Sequence, residues 1–499
     1  MKKLFVLEKF LPNYAGFGRE SNMKQETVRE NKMGVMDVNK LLLSMAGPMM
    51  VSQLVQALYN VVDSVYVSRI TTNEKIYDAS GNLISAGTDA ISALGLAFPF
   101  QILIIALAMG TAVGMNSLVS RSLGAGKQEK ADKAAMQGVT LMALSFIISL
   151  CIGIFFARPA IALQGATGRK LEYGVTYLRI VSCLSIALYM EVVFERMLQA
   201  TGRTKLSMIP QVTGAIINVI MDPILIYGFL GMPKFGVAGA AYATVFGQSV
   251  ATFLGIMLNL KYNPDLNLKL KNLKPDLHVI KQIYVVGLPA ILMQAVGSVM
   301  NFGMNKIILT LNENAVAVFT AYYKLQSFFF MPIFGLGNAQ LPIIAYNFGA
   351  GKKKRLLDTF KYSLFYGFLL LFVGFLAFEL IPGTLLKLFD TGDGTLITYG
   401  VPAIRIIGTH FLLAWFCIVT GNLFQALGNG VYSMVVSFAR QIVVLIPAAY
   451  ILGKIGGINL MWWCFPIAEG MSLLCTVIFF LRINKNIISK MPEEHMQSA

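Results

Sequence analysis

Residues 41–69 read LLLSMAGPMMVSQLVQALYNVVDSVYVSR, and this stretch decides the fold. It is longer than the roughly 20 residues that a helix needs to cross a hydrocarbon core. Gln53, Gln56, Asn60 and Asp63 nevertheless interrupt it at spacings of three, four and three, which places them on one face of a helix. The segment therefore reads as a membrane-spanning helix with a polar stripe that ends in a carboxylate.

The rest of the chain repeats the apolar half of that pattern. Of 499 residues, 56% are hydrophobic and 13% charged, with a mean hydropathy of +0.65, where a soluble domain carries about 25% charged residues. Helices are the expected spanning elements, because in lipid each backbone polar group must be satisfied within its own segment. The net charge of +16 sits in short connections between apolar runs, which excludes a nucleic-acid-binding patch and points to membrane topology. Residues 1–40 read as a polar lead, not a signal peptide, since Glu8 and Lys9 interrupt the early apolar run and no small-residue cleavage site follows. Met23 or Met33 is a candidate natural start. Cys151, Cys183, Cys417, Cys464 and Cys475 lie singly in apolar segments, without the close pairs of a zinc site or disulfide framework.

Twelve segments are predicted, at approximately 41–70, 90–120, 132–157, 172–200, 205–230, 236–260, 278–311, 314–347, 356–381, 399–427, 430–453 and 457–482. They group as a first six-helix lobe over 41–260, a linker over 261–277, a second six-helix lobe over 278–482 and a tail over 483–499. Lys and Arg accumulate in cytoplasmic connections, and here they alternate. The lead, the turn with Arg121, Lys127, Lys130 and Lys133, the linker with Lys261, Lys269, Lys271 and Lys274, the run Lys352–Arg355 and the tail share one side. Opposite connections are nearly bare, the densest holding Arg158, Arg169 and Lys170. Both termini are expected in the cytoplasm and the chain in the plasma membrane.

The two halves echo each other. Pro48, Gln53 and Asn60 match Pro289, Gln294 and Asn301 at one constant offset, and Leu123-Gly-Ala-Gly-Lys127 matches Phe348-Gly-Ala-Gly-Lys352. Arg179, Gln199 and Gly202 match Arg405, Gln425 and Gly428, while Gly236 onward loosely matches Gly457 onward. With an even number of segments per half, the repeats are parallel and related by an axis along the membrane normal. The hydrophilic stretch 71–89 is a loop unique to the first half.

An ionisable group at the bilayer centre costs about 2.5–3.5 kcal/mol on insertion scales, so each one is a functional candidate. Asp63 ends the first stripe, and Gln211, Asn218 and Asp222 share a face of the fifth segment. Tyr177, Arg179, Glu191, Glu195 and Arg196 lie in the fourth, and Thr244 in the sixth. Two carboxylates from different helices in a low-dielectric cleft do not both stay ionised without a counter-cation. Asp63 and Asp222, with oxygens of Asn218, Tyr177 and Thr244, therefore suit a proton or Na⁺, with Glu195 as a further candidate. The competing reading puts Asp63 near a helix end and Asp222 in a turn before Pro223, and has Arg196 neutralise Glu195.

The second half repeats the stripe as Gln294, Ser298, Asn301 and Asn305, without a carboxylate. Gln53, Gln56, Asn60, Gln294, Asn301 and Asn305 are candidates for a substrate cavity. Lys306, Lys324, Arg405, His410, Arg440 and Glu469 are its ionisable groups, with Glu379 near a helix end. Matched positions favour a structural task for Arg179 and Arg405, and a lone His410 is more often packed than proton-relaying. The 26 Met and 34 Phe suit a pocket of variable shape but equally suit lipid. The glycine-lysine strings at 124–127 and 349–352 lack the upstream Gly and following Ser or Thr of a phosphate loop, and no HExxH, CxxC or GxSxG string occurs. Enzymatic chemistry is not expected.

The LYNVVDSVYVSR stretch around Asp63, RSLGAGK, QATGRTK at 199–205, INVIMDP at 217–223 and GVAGAAYAT at 236–244 resemble the multidrug and toxic compound extrusion (MATE) family, over roughly residues 40–480. The resemblance implies two six-helix lobes around a central cavity that opens alternately to each side as Na⁺ or H⁺ enters and a drug leaves. It also implies an acidic cation site in the first lobe, at Asp63, Asn218, Asp222 and Thr244, with Tyr177 a looser match. One branch of the family carries a Glu in the seventh helix, where this chain has Gln294 and Asn301. The expected protein is a monomeric antiporter of small organic, cationic or amphipathic compounds that needs no cofactor beyond its coupling ion. A flippase for a lipid-linked precursor, using Lys306, Lys324, Arg405 and Arg440, is the alternative, with a membrane-embedded enzyme behind it.

Overall fold

A computed structural model describes residues 31–71, 76–77, 83–84, 86–312, 314–388 and 395–492. The lead before residue 31, most of the 71–89 loop and the tail after residue 492 lie outside the described residues. Within that loop Ile76–Tyr77 and Leu83–Ile84 pair as two short antiparallel strands, Ile76 opposite Ile84.

Ten described helices are long and apolar enough to span a bilayer, and two bent pairs bring the number to twelve. In chain order they are α1 (Val38–Ser68), α2 (Ala86–Gly124), α3 (Gln128–Ala162), α4 (Gly168–Cys183 and Ile186–Ala200), α5 (Thr204–Tyr227) and α6 (Val237–Tyr262) in the first half. The second half holds α7 (Leu277–Leu311), α8 (Asn314–Gly349), α9 (Lys353–Leu380), α10 (Thr395–Gly408 and Phe411–Ala426), α11 (Gly430–Met461) and α12 (Cys464–Lys490). Local chemistry sets their ends. Asp37 accepts from Lys40 N at 3.0 Å at the start of α1, and Asp276 accepts from His278 N at 3.0 Å at the start of α7, each filling an orphan donor of a first turn. Gly228, at φ 79°, ends α5 in a left-handed turn.

The fourth and tenth predicted spans each contain a break: α4 bends by 46° and α10 by 49°. The breaks fall at matched places, and each carries a hydroxyl turned back on the backbone. Ser185 Oγ donates to the Ser182 carbonyl and Thr409 Oγ1 to the Ile406 carbonyl, both at 2.7 Å. Such bonds compete with the helical ladder. Wide turns of π-helix also interrupt α3 at Ile152–Phe156 and α11 at Ala439–Leu445.

The two halves meet where α1 packs on α8 and α2 on α7, and glycines let the backbones touch. A Cβ on Gly110 or Gly114 would strike the Ile283–Ile291 stretch of α7, one on Gly335 would strike Met50, and Gly124 and Gly349 lie against Tyr346 and Arg121 respectively. Every one of these contacts lies in the part of its helix nearer the basic turns. The halves are thus closed together on the basic face.

A short helical turn, Lys32–Val35, precedes α1 on that face. Met33 is fully buried and packs into the second half's core. Its carbonyl accepts from Asn347 Nδ2 at 3.0 Å, and the Met36 carbonyl accepts from Arg355 Nη2 at 2.6 Å. From the first half, Gly202 leaves room for the Lys32 and Met33 side chains.

Candidate functional site

α5 and α6 approach closely because Gly214 and Gly247 face each other: a Cβ on Gly247 would stand 2.6 Å from the Gly214 carbonyl oxygen. Small residues at such crossings let spanning helices make backbone contact. One turn further along α5, the approach brings Asn218 against Thr244 of α6, with Nδ2 donating to Oγ1 at 3.3 Å. Thr244 Oγ1 in turn donates to the Ala240 carbonyl at 3.0 Å. Asp222 follows Asn218 by four residues on the same face and is fully buried. Pro223 supplies no N–H, so the Val219 carbonyl lacks its usual helical partner.

α1 lies against α5, with Gln211 Nε2 donating to Gln56 Oε1 at 2.8 Å. This fixes the stripe of α1 toward α5 and sets Asp63 within electrostatic reach of Asp222, Tyr177 and Tyr59. Tyr177, buried at 5% exposure, comes from the first limb of bent α4. Asp63, Tyr177, Asn218, Asp222 and Thr244 thus lie near one another inside the first half.

The hydrogen-bond census there is one-sided. Asp63 Oδ1, Asn218 Oδ1 and both carboxylate oxygens of Asp222 are buried without a partner among the described residues. All four are acceptors. Buried polar atoms in folded proteins are almost always satisfied, and a carboxylate accepts but does not donate unless it is protonated. A proton or a small cation is what would satisfy this set.

Beside it is a cavity of about 50 Å³ lined by Gln56, Tyr59, Glu191, Glu195, Asn218 and Thr244, among others. That volume holds a few waters or an ion, far below the roughly 300–1,000 Å³ of small-molecule pockets. Glu195 Oε1 accepts from Gln199 Nε2 at 2.8 Å and lies 3.5 Å from Ser207 Oγ. Arg196 feels its charge, yet its Nη1 bonds Gln199 Oε1 at 3.0 Å and, across the halves, Asn338 Oδ1 at 2.9 Å. Tyr59 and Gln248 also line the cavity, and sequence reasoning passed over both. A signal existed for each: Tyr59 neighbours the α1 stripe, and Gln248 is one turn from Thr244.

The remaining candidates scatter. Gln53 is half-buried and Asn60 exposed on α1. Gln294 is exposed, Asn301 donates back to the Gly297 carbonyl at 3.2 Å, and Asn305 Oδ1 and Ser298 Oγ are buried without partners among the described residues. His410 is packed among Phe330, Phe411 and Phe465, its Nδ1 2.5 Å from the Ile407 carbonyl. Arg440 pairs with buried Glu469 at 3.0 Å, Arg405 Nε donates to the Glu379 carbonyl at 3.3 Å, and Lys306 and Lys324 are exposed. The four bases form no common basic cavity. On the face opposite the basic turns, Arg158 pairs with Glu172 at 2.9 Å and Arg169 with Asp89 at 2.7 Å, the latter pair buried. Among the described residues no group of three His, Cys, Asp or Glu side chains forms a metal cluster.

Twelve spans in two repeated halves, with polar groups gathered inside the first, define a multi-pass membrane transporter. The MatE family profile matches residues 80–224 and 289–451, one block in each half, and the chain belongs to the MatE family. It is 25% identical over 446 residues to the multidrug export protein MepA of Staphylococcus haemolyticus, covering 89% of this chain and 94% of that protein. Among solved structures, an outward-facing multidrug resistance MATE family transporter of the MOP superfamily superposes with a TM-score of 0.82 at 26% identity, covering 93% of this chain and all of that one. A MOP superfamily transporter from Pyrococcus furiosus, described as having a binding pocket of reversed polarity, superposes with a TM-score of 0.81 at 27% identity over 93% of this chain.

Proposed function

We propose that this protein exports small organic compounds, cationic or amphipathic, in exchange for H⁺ or Na⁺ bound at Asp63 and Asp222. The observation that carries the reading is the set of four buried acceptor oxygens, on Asp63, Asn218 and Asp222, with no donor among them. The name of its staphylococcal relative supports the export of drugs.

In this reading the two carboxylates repel each other until a cation joins them. Its arrival draws α1 toward α5, and its departure lets them part. Pro48 within α1 removes one rung of the helical ladder, at the Ser44 carbonyl, which gives α1 a place to flex. The organic substrate favours the opposite arrangement of the halves, and coupling is limited to the difference in affinity of each ligand for the two states. The basic face is cytoplasmic, in keeping with the distribution of Lys and Arg, so both termini lie inside the cell and the protein works as a monomer in the plasma membrane. The halves, joined on that face, then stand open toward the outside.

The test is efflux of a fluorescent organic cation from liposomes containing the purified protein, under an imposed pH gradient or an imposed Na⁺ gradient. Export driven by one of them identifies the ion. Export indifferent to both removes the antiport reading.

A further inference from the structure

On the basic face, a cavity of about 290 Å³ opens at the seam between the halves, lined by Arg121, Ser122, Lys127 and Lys130 from the first half and by Gln282 and Val285 from α7. Arg121 and Lys127 both repel Lys130 there, and no carboxylate among the described residues lines it. The acids nearest in sequence are engaged elsewhere. Glu129 pairs with Lys133 at 3.6 Å, and Asp132 Oδ1 accepts from Gln128 Nε2 and Asn267 N, both at 2.9 Å.

A structural task accounts for part of this. Arg121 lies on the Gly428 backbone, where a Cβ would strike the guanidinium, just past the C-terminal end of α10. Helix ends of that sign carry about half a negative charge, which does not balance three cations. The Gln425 carbonyl there already accepts from Ser117 Oγ at 2.9 Å. Arg121 Nε is itself held by the Ser117 carbonyl at 3.3 Å, so the guanidinium is fixed in place before any ligand arrives.

We propose that this cavity binds a phosphate-bearing anion, supplied by the headgroup of an anionic phospholipid. Basic pockets between spanning helices at the level of the membrane surface suit such headgroups. The cavity sits at that level, in the turn between α2 and α3. From its rim Val285, Leu288 and Leu292, all exposed, run along one side of α7 and offer a track for an acyl chain. Because both halves line the cavity, the bound headgroup ties them together on the closed face and neutralises charge that otherwise strains the seam.

The test is native mass spectrometry of the full-length protein titrated with phosphatidylglycerol, phosphatidylcholine or inorganic phosphate. Three forms are compared: wild type, Lys127→Gln/Lys130→Gln, and Lys269→Gln/Lys271→Gln, whose lysines are exposed on the same face outside the cavity. One phosphatidylglycerol should bind in preference to phosphatidylcholine, and the first double variant should weaken it about thirtyfold, from about 1 kcal/mol per base, while the second leaves it unchanged. Inorganic phosphate binding as tightly as the lipid, with the same lysine dependence, upholds the phosphate site and names a soluble anion as its source. Equal retention of phosphatidylglycerol by all three forms, or equal loss in both double variants, overturns the proposal. Binding is read without transport, so the result is independent of the antiport reading.

Discussion

Gly124 and Gly349 hold reciprocal places in the two halves: a Cβ on Gly124 would run into the Tyr346 carbonyl, and a Cβ on Gly349 into the Arg121 carbonyl. Each is the glycine before Ala-Gly-Lys in its half, so the repeat seen in the sequence is also a backbone contact between the halves on the basic face. Gly124→Val and Gly349→Val should each force the seam apart. Overpacking of this kind costs about 1–3 kcal/mol, and the thermal midpoint in detergent should fall and efflux be lost. Gly126 has φ 68° but open space around it, so Gly126→Asn, which tolerates that backbone, should leave efflux close to wild type. A stable, active Gly124→Val would show that the halves do not rely on this contact.

Asp63→Asn and Asp222→Asn keep the size of each side chain and remove its charge. Each should reduce gradient-driven efflux in liposomes to the level of empty vesicles, with circular dichroism and elution volume unchanged. Undiminished efflux from both would remove these residues from coupling.

Arg169 and Asp89 join the start of α4 to the start of α2 through a buried ion pair at 2.7 Å. Breaking a buried pair by removing one partner costs about 3–5 kcal/mol, whereas replacing both with apolar groups is often neutral. Asp89→Asn should therefore lower the unfolding midpoint sharply, and Asp89→Leu/Arg169→Met should recover most of the loss. Equal midpoints for the single and double variants would refute this.

Lys32 lies ahead of the first span, half-buried near Arg203 and Lys205, and loss of solvent first and those charges second push its ammonium down from 10.5 to about 8. A base whose folded value is lowered is penalised when charged. The penalty on seating the Lys32–Val35 turn is full below pH 8, shrinks as pH rises, and is gone above the unfolded value. Hydrogen exchange at Met33–Met36, corrected for intrinsic rate, should thus be slower at pH 9.5 than at pH 7. Lys32→Gln should be protected equally at both, and a wild type that loosens with rising pH would reverse the sign.

Much of this was legible in the sequence because hydropathy and repetition are properties of single segments. The stripe through Gln53, Gln56 and Asp63 and the face shared by Gln211, Asn218 and Asp222 announced two helices with something to turn toward each other. Which partner each stripe meets is a tertiary fact. Asn218 meets Thr244 because Gly214 and Gly247 let α5 and α6 close up, and no periodicity reports that. The bends in α4 and α10 were hidden for another reason: Ser185 and Thr409 stand in apolar runs whose average hydropathy does not change where the backbone does. Asp89 and Arg169 were read as loop charges because their pairing spans both α2 and α3.

The turn at Lys32–Val35 is gripped from both sides, by Asn347 and Arg355 of the second half and by the space that Gly202 leaves in the first. A rocking cycle that prises the lobes apart at this end must first uproot the peptide that leads into α1. On the proposed antiport reading the Lys32–Val35 turn becomes a moving part, drawn out and reseated once per turnover, and a reporter dye on it would beat in time with transport.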